Sequence, residues 1–151
     1  MKEDGIAAVS SLVRWRAFRE ALAERDRDAA AAAVRAAAQS RDEAQAAAEA
    51  MGRRRESMLT APNLDLALLQ AVAAFETVAL DDAAACTDAL AERTREHALA
   101  RDAQMHARGD VRVAKSRHGR LLAEAADHEE KRMFDRMASL IAAATGDDSH
   151  D

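Results

Sequence analysis

Tyrosine is absent from this sequence, proline and cysteine occur once each, and glycine appears only five times. One proline and five glycines leave little material for turns, and three Phe with a single Trp leave little for a thick core. β-Branched residues are scarce as well. A lone cysteine, Cys86, excludes an internal disulfide framework and fits a reducing compartment. Flanked by Ala85 and Thr87 with no basic neighbour to lower its pKa, Cys86 reads as a small core residue rather than a reactive thiol. No apolar run approaches the roughly 18 residues that a membrane span needs. The opening, MKEDGIAAVSSLV, is too acidic and its apolar run too short for a signal peptide. A soluble, cytoplasmic protein with no direct membrane insertion is expected.

What remains is alanine with the strong helix formers Arg, Glu, Leu and Met, a composition that belongs to long helices and coiled coils. The 49% hydrophobic fraction therefore overstates the core, because alanine supplies most of it. An elongated molecule is expected rather than a compact globule. The net charge of −5 is unevenly spread. Residues 61–100 hold two cations, Arg93 and Arg95, against seven acids, whereas the segments on either side are nearly balanced. The basic clusters RWRAFR (14–19) and GRRRES (52–57) are short and local, and no concentrated basic face appears. Nucleic acid is not an expected partner.

The strongest punctuation is Thr60-Ala61-Pro62-Asn63, since proline breaks a helix and pushes its predecessor out of helical dihedrals. This predicts a helix over about 10–59, a corner over 60–63, and a second helix over about 64–144. Asn63 would cap the second helix, Gly146 would end it, and 145–151 would form a disordered acidic tail. Gly109 and Gly119 fall inside the second run and mark either a bend, a close approach by a partner, or tolerated surface positions. The fold expected is all-α: an elongated antiparallel two-helix coiled-coil hairpin in a single domain.

Apolar periodicity at spacings of three and four supports both helices. In the first, Trp15, Phe18, Leu22, Arg25, Ala29, Ala32, Ala36 and Gln39 form the expected stripe. In the second it is Leu64, Leu68, Ala71, Phe75, Val78, Asp82, Ala85 and Ala89, resuming as Leu122, Ala126, Glu129, Met133, Met137, Leu140 and Ala144. The alanine run DAAAAAVRAAAQS (28–40) then reads as a slim shaft whose backbones approach closely. Bulky residues would gather at the open end (Trp15, Phe18, Leu22 with Met133, Met137, Leu140) and near the corner. That distribution suits an adaptor gripping partners at both ends.

The segment LVRWRAFREALA (12–23) is similar to the opening of the FliJ/YscO family, and HEEKRMFDRMA (128–138) resembles its closing segment. Arg136 stands where that family usually has an acidic residue. The resemblance, from about residue 10 to 140, implies an antiparallel two-helix coiled coil serving as the central stalk of a type III secretion ATPase, as the γ subunit serves rotary ATP synthases. Paired termini would insert into the hexameric ATPase ring, while the tip reaches the cytoplasmic domain of the export-gate protein and secretion chaperones. Carried onto this chain, Arg14, Arg16, Arg19, Lys131 and Asp135 would face the ring, and Arg132 joins them by helical proximity. Leu68, Val72 and Phe75 would make the gate and chaperone contact. Read without the resemblance, the arginines are equally solvated flanks and Phe75 is equally a core residue.

Chemistry of other kinds finds no footing. The five histidines lack the i, i+4 clustering of a zinc site, and His128-Glu129-Glu130 has no second histidine in reach. ARGDVR and SRHGRL lack the Lys-Ser/Thr ending of a phosphate loop. A two-helix rod offers no catalytic pocket. Neither enzymatic activity nor a cofactor or metal is expected. The expected location is cytoplasmic, peripheral to the inner-membrane secretion apparatus. The competing reading is a structural scaffold coiled coil that self-associates through Leu64 to Leu80, without an ATPase.

Overall fold

The computed structural model describes residues 2–146. It is all-α: α1 spans Lys2–Leu59 and α2 spans Leu66–Gly146. α1 begins well before the expected residue 10. Ile6 and Val9 already belong to its half-buried stripe, and Gly5 is tolerable in a helix at a cost of about 1 kcal/mol. α1 ends where Thr60 turns back on the last turn, its hydroxyl donating to the Ser57 carbonyl at 3.0 Å.

The corner is longer than expected, and Asp65 rather than Asn63 caps α2. The Asp65 carboxylate accepts from the Ala67 N–H at 3.0 Å and the Leu68 N–H at 3.1 Å. Its own carbonyl takes the first helical bond, from the Leu69 N–H at 2.9 Å. Asp and Asn rank alike as caps, but the carboxylate also gains from the positive end of the helix dipole. At the far end, Thr145 and Gly146 are helical. The remainder of the expected acidic tail, 147–151, lies outside the described residues.

The helices divide into two compact units: a corner unit, Leu22–Met105, and a terminal unit, Met1–Ala21 with His106–Asp151. In the corner unit, Arg55 meets Glu76 at 2.8 Å and Arg27 donates to Gln104 at 3.1 Å. Both pairs straddle the same midpoint, between Asp65 and Leu66, so the two segments run in opposite directions. A half-buried stripe on α1 follows Ala23, Arg27, Ala30, Val34, Ala37, Arg41, Ala44, Ala48 and Met51. On α2 it follows Leu69, Val72, Glu76, Ala79, Ala83, Cys86 and Leu90, then His97, Ala100 and Gln104. The spacings alternate between three and four, as expected, but the stripe lies one or two residues away from the expected one on both helices.

The shift has a physical cause. The inner positions carry alanine, interrupted by long polar side chains whose stems pack while their heads reach across or out. The bulky residues that defined the expected stripe sit beside it and remain exposed: Trp15, Phe18, Phe75 and Val78 are each more than half exposed. Cys86 sits half-buried within the inner stripe. Gly52 faces α2 closely, since a Cβ there would come within 3.3 Å of Glu76 Oε1, whereas at Gly109 and Gly119 a Cβ would meet nothing within 4 Å. The close approach belongs to Gly52, not to those two.

In the terminal unit, α1 contributes Ile6, Val9, Val13, Arg16 and Glu20, and α2 contributes Ala107, Val111, Ala114, His118, Leu121 and Ala125. Val111 and Ala114 are its most buried side chains, at 5% and 2% exposure. Ile6 and Gly5 share a 160 Å³ depression with Leu121, Glu124 and Ala125. From residue 126 to 143 every position of α2 is exposed.

Candidate functional site

Among the three N-terminal arginines the structure separates one from two. The Arg16 guanidinium crosses to α2 and donates to the Asp110 carbonyl at 3.0 Å, so it takes part in holding the terminal unit together. Arg14 stays exposed and donates to Ser11 Oγ at 3.3 Å, one turn back. Arg19 is exposed with its guanidinium 5.1 Å from the centre of the Trp15 ring, a cation–π contact on the surface of α1.

Lys131, Arg132 and Asp135 are exposed on α2, but they do not join the arginine cluster. Arg16 lies against Asp110, and from Asp110 to Lys131 is about 30 Å along a helix rising 1.5 Å per residue. Ile6, nearer the start of α1, is the residue found beside Leu121 and Ala125. The expected basic end is therefore two places: Arg14 and Arg19 on α1, and a separate stretch of α2 around 131–136. For the same reason Met133, Met137 and Leu140 do not cluster with Trp15 and Phe18. They stand on their own, each more than half exposed, with Phe134 beside Met133.

Near the corner, the three expected contact residues also divide. Leu68 and Phe75 are exposed, while Val72 is 5% exposed and belongs to the inner stripe. Val72 is core because its spacing to Leu69, Glu76 and Ala79 follows the buried face; Leu68 and Phe75 follow the line next to it. All three border an open groove of about 520 Å³. Its α2 wall carries Leu68, Ala71, Phe75 and Val78 and ends at Asp82, and its α1 wall carries Ala47, Met51 and Arg54. The α1 wall went unnoticed in the sequence, although counting outward from the corner sets Arg54 near Glu76 and Thr77. The carboxylate of Glu76 is taken by Arg55. No ion pair engages Arg54 or Asp82 among the described residues, so the groove keeps a cation on one wall and an anion on the other.

Further along the corner unit, Arg27 is held charged above its usual range, chiefly by its hydrogen bond to Asp28, with burial working against it. It is a structural cation, fixed by Asp28 on its own helix and Gln104 on the other. Among the described residues, no group of three or more His, Cys, Asp or Glu could hold a metal ion, and no helix is long and apolar enough to cross a membrane.

The chain was compared with known proteins. No family model, no curated protein and no solved structure matches it. The surfaces of the two units, and the resemblance of segments 12–23 and 128–138, are what a functional reading has to work from.

Proposed function

We propose that this chain is a non-enzymatic stalk or adaptor of a type III secretion system. On this reading it inserts into the hexameric export ATPase and links that ring to the export gate and to secretion chaperones. It would work in the cytoplasm, peripherally attached to the inner-membrane apparatus. The observation that carries the reading is the presence of two distinct exposed apolar surfaces on otherwise charged helices. One is the groove beside the corner; the other is the exposed stretch of α2 beyond residue 125. Two apolar faces of this kind suit a protein that holds partners.

Within this reading the ring contact falls to Arg14 and Arg19 and, separately, to Lys131, Arg132 and Asp135 around the apolar Met133 and Met137. The gate or chaperone contact falls to Leu68 and Phe75, with Val72 supporting them from beneath. Arg16 is a positioning residue, because its guanidinium is spent on Asp110. The test is binding of the purified chain to the hexameric ATPase of the same secretion system, followed by association kinetics at several salt concentrations. Exposed cations steer encounter more than they set affinity. The double reversal Arg14→Glu, Arg19→Glu should slow association and flatten its salt dependence with helicity unchanged. An ATPase that fails to bind the wild-type chain, or that binds the reversed variant equally fast, refutes the assignment.

A further inference from the structure

Between Asp102 and Glu124, α2 carries five cations, Arg108, Arg112, Lys115, Arg117 and Arg120, against one acid, Asp110. All five are exposed, and none has an ion pair among the described residues. The cations that precede them on the same helix are all taken: Arg93, Arg95 and Arg101 stand 2.7, 2.7 and 3.9 Å from a carboxylate. Within the terminal unit, residues 5–21 of α1 add Arg14, Arg16 and Arg19 against Glu20 alone. Beyond Glu124 the charges mix, with Asp127, Glu129 and Glu130 ahead of Lys131 and Arg132, so an average over the C-terminal half of α2 hides the excess. The five cations are also ordered. Ala107, Val111, Ala114 and His118 mark the line packed on α1. Opposite it run Gly109, Arg112, Ser116 and Gly119, spaced three, four and three apart. Arg108 and Lys115 lie along one side of that outer line; Arg117 and Arg120 lie along the other, where Asp110 sits nearer the buried line. A Cβ added at Gly109 or Gly119 would meet nothing within 4 Å, so the outer line is open as well as small.

We infer that the outer face of α2 from Arg108 to Arg120 seats in the major groove of duplex DNA and holds it chiefly through phosphate contacts. The major groove of B-DNA is about 12 Å wide and admits one α-helix. Gly109, Ser116 and Gly119 let the helix backbone come near the groove floor, and the cations on both sides reach the two phosphate strands that border it. Arg112, the one long side chain on the outer line, donates to whichever acceptor lies nearest. Two other polyanions fit this face less well. Duplex RNA has a major groove too deep and narrow to take a helix. A lipid surface holds a helix by a buried apolar face, and Val113 is the one apolar side chain exposed from 108 to 120. The inference goes beyond the secretion reading, uses none of the residues given to the ring or the gate, and stands or falls separately from it.

The test is fluorescence anisotropy of a labelled DNA duplex titrated with the purified full chain at several salt concentrations. Wild type should bind at low salt, with a log–log salt slope approaching about −4.5, or about −0.9 for each of five phosphate contacts. Two double variants probe the two sides of the helix: Arg108→Gln with Lys115→Gln, and Arg117→Gln with Arg120→Gln. All four positions are exposed, so both variants should fold, which circular dichroism checks. Each should flatten the slope by about 1.8 and weaken binding by roughly tenfold or more. Duplex RNA of the same length should bind more weakly than DNA. A wild-type chain that leaves DNA free at low salt overturns the inference, and so does a double variant that binds as tightly as wild type. Equal affinity for the RNA duplex overturns it too, because charge alone is then being read. Cosedimentation with phosphatidylglycerol vesicles without binding to DNA assigns the face to lipid and overturns it as well.

Discussion

Alanine substitution at three helical glycines separates open space from close approach. Glycine within a helix is about 0.8–1.0 kcal/mol less favourable than alanine. At Gly109 and Gly119 an added Cβ meets nothing within 4 Å, and neither of the two has a positive φ. Gly109→Ala and Gly119→Ala should therefore each stabilise by close to the full amount, about 1 kcal/mol. At Gly52 the same methyl comes within 3.3 Å of Glu76 Oε1. That carboxylate is only 15% exposed and is held by Arg55 at 2.8 Å, so it must shift by a few tenths of an ångström while keeping its partner. A partly exposed ion pair is worth about 0–1 kcal/mol, so the shift offsets part or all of the gain. Gly52→Ala should then stabilise by less than the other two. Urea unfolding followed by far-UV circular dichroism reads all three. Repeating Gly52→Ala in a Glu76→Ala background should restore the full gain, because the obstructing carboxylate is gone. The reasoning fails if Gly109→Ala or Gly119→Ala destabilises, or if Gly52→Ala gains as much as they do with Glu76 in place.

Val72 and Phe75 should part company in a thermal melt. Val72→Ala removes two buried methyl groups and should cost about 2 kcal/mol, whereas Phe75→Ala should move stability by less than about 0.5 kcal/mol. The same Phe75→Ala should weaken gate or chaperone binding by more than about 1 kcal/mol, measured by calorimetry. Asp65→Ala removes the cap of α2 and should cost about 1 kcal/mol in urea unfolding, while Asn63→Ala should cost much less.

The two helices and their corner were legible because alanine-rich composition, one proline and a spacing of three and four all point the same way. The phase of the buried stripe was not. Reading periodicity by side-chain bulk selects Trp15, Phe18, Leu22 and Phe75, and in a wide core those would have been the inner residues. Here the inner line is alanine with Val34, Val72 and a few other apolar residues, broken by Arg27, Arg41, Glu76, His97 and Gln104, and the aromatic side chains Trp15, Phe18 and Phe75 mark the neighbouring, exposed line. An alanine has no weight in such a reading, and a polar residue counts against burial unless its cross-helix partner is known. Val72 was misplaced for that reason, while Phe75, which the sequence left open between core and contact surface, lies exposed. The joined basic end failed differently. Lys131 and Arg16 both lie toward the chain ends, but only counting residues from the corner shows that α2 runs well past Arg16.

A helix face lined with alanine offers little resistance to sliding. Ala23, Ala30, Ala37 and Ala44 recur every seven residues, so an axial slip of one heptad, about 10 Å, would exchange one alanine for another with little penalty. Two cross-helix pairs oppose that slip within the corner unit: Arg55 with Glu76 and Arg27 with Gln104. Slid by one repeat, Arg55 would stand opposite Ala83 or Leu69 and lose its carboxylate. A polar residue on an otherwise apolar seam fixes register in this way. The corner unit thus resembles a slide with detents, in which those four side chains add to the resistance that Val72 and Leu90 on the seam and the short corner give to shear along the helix axis.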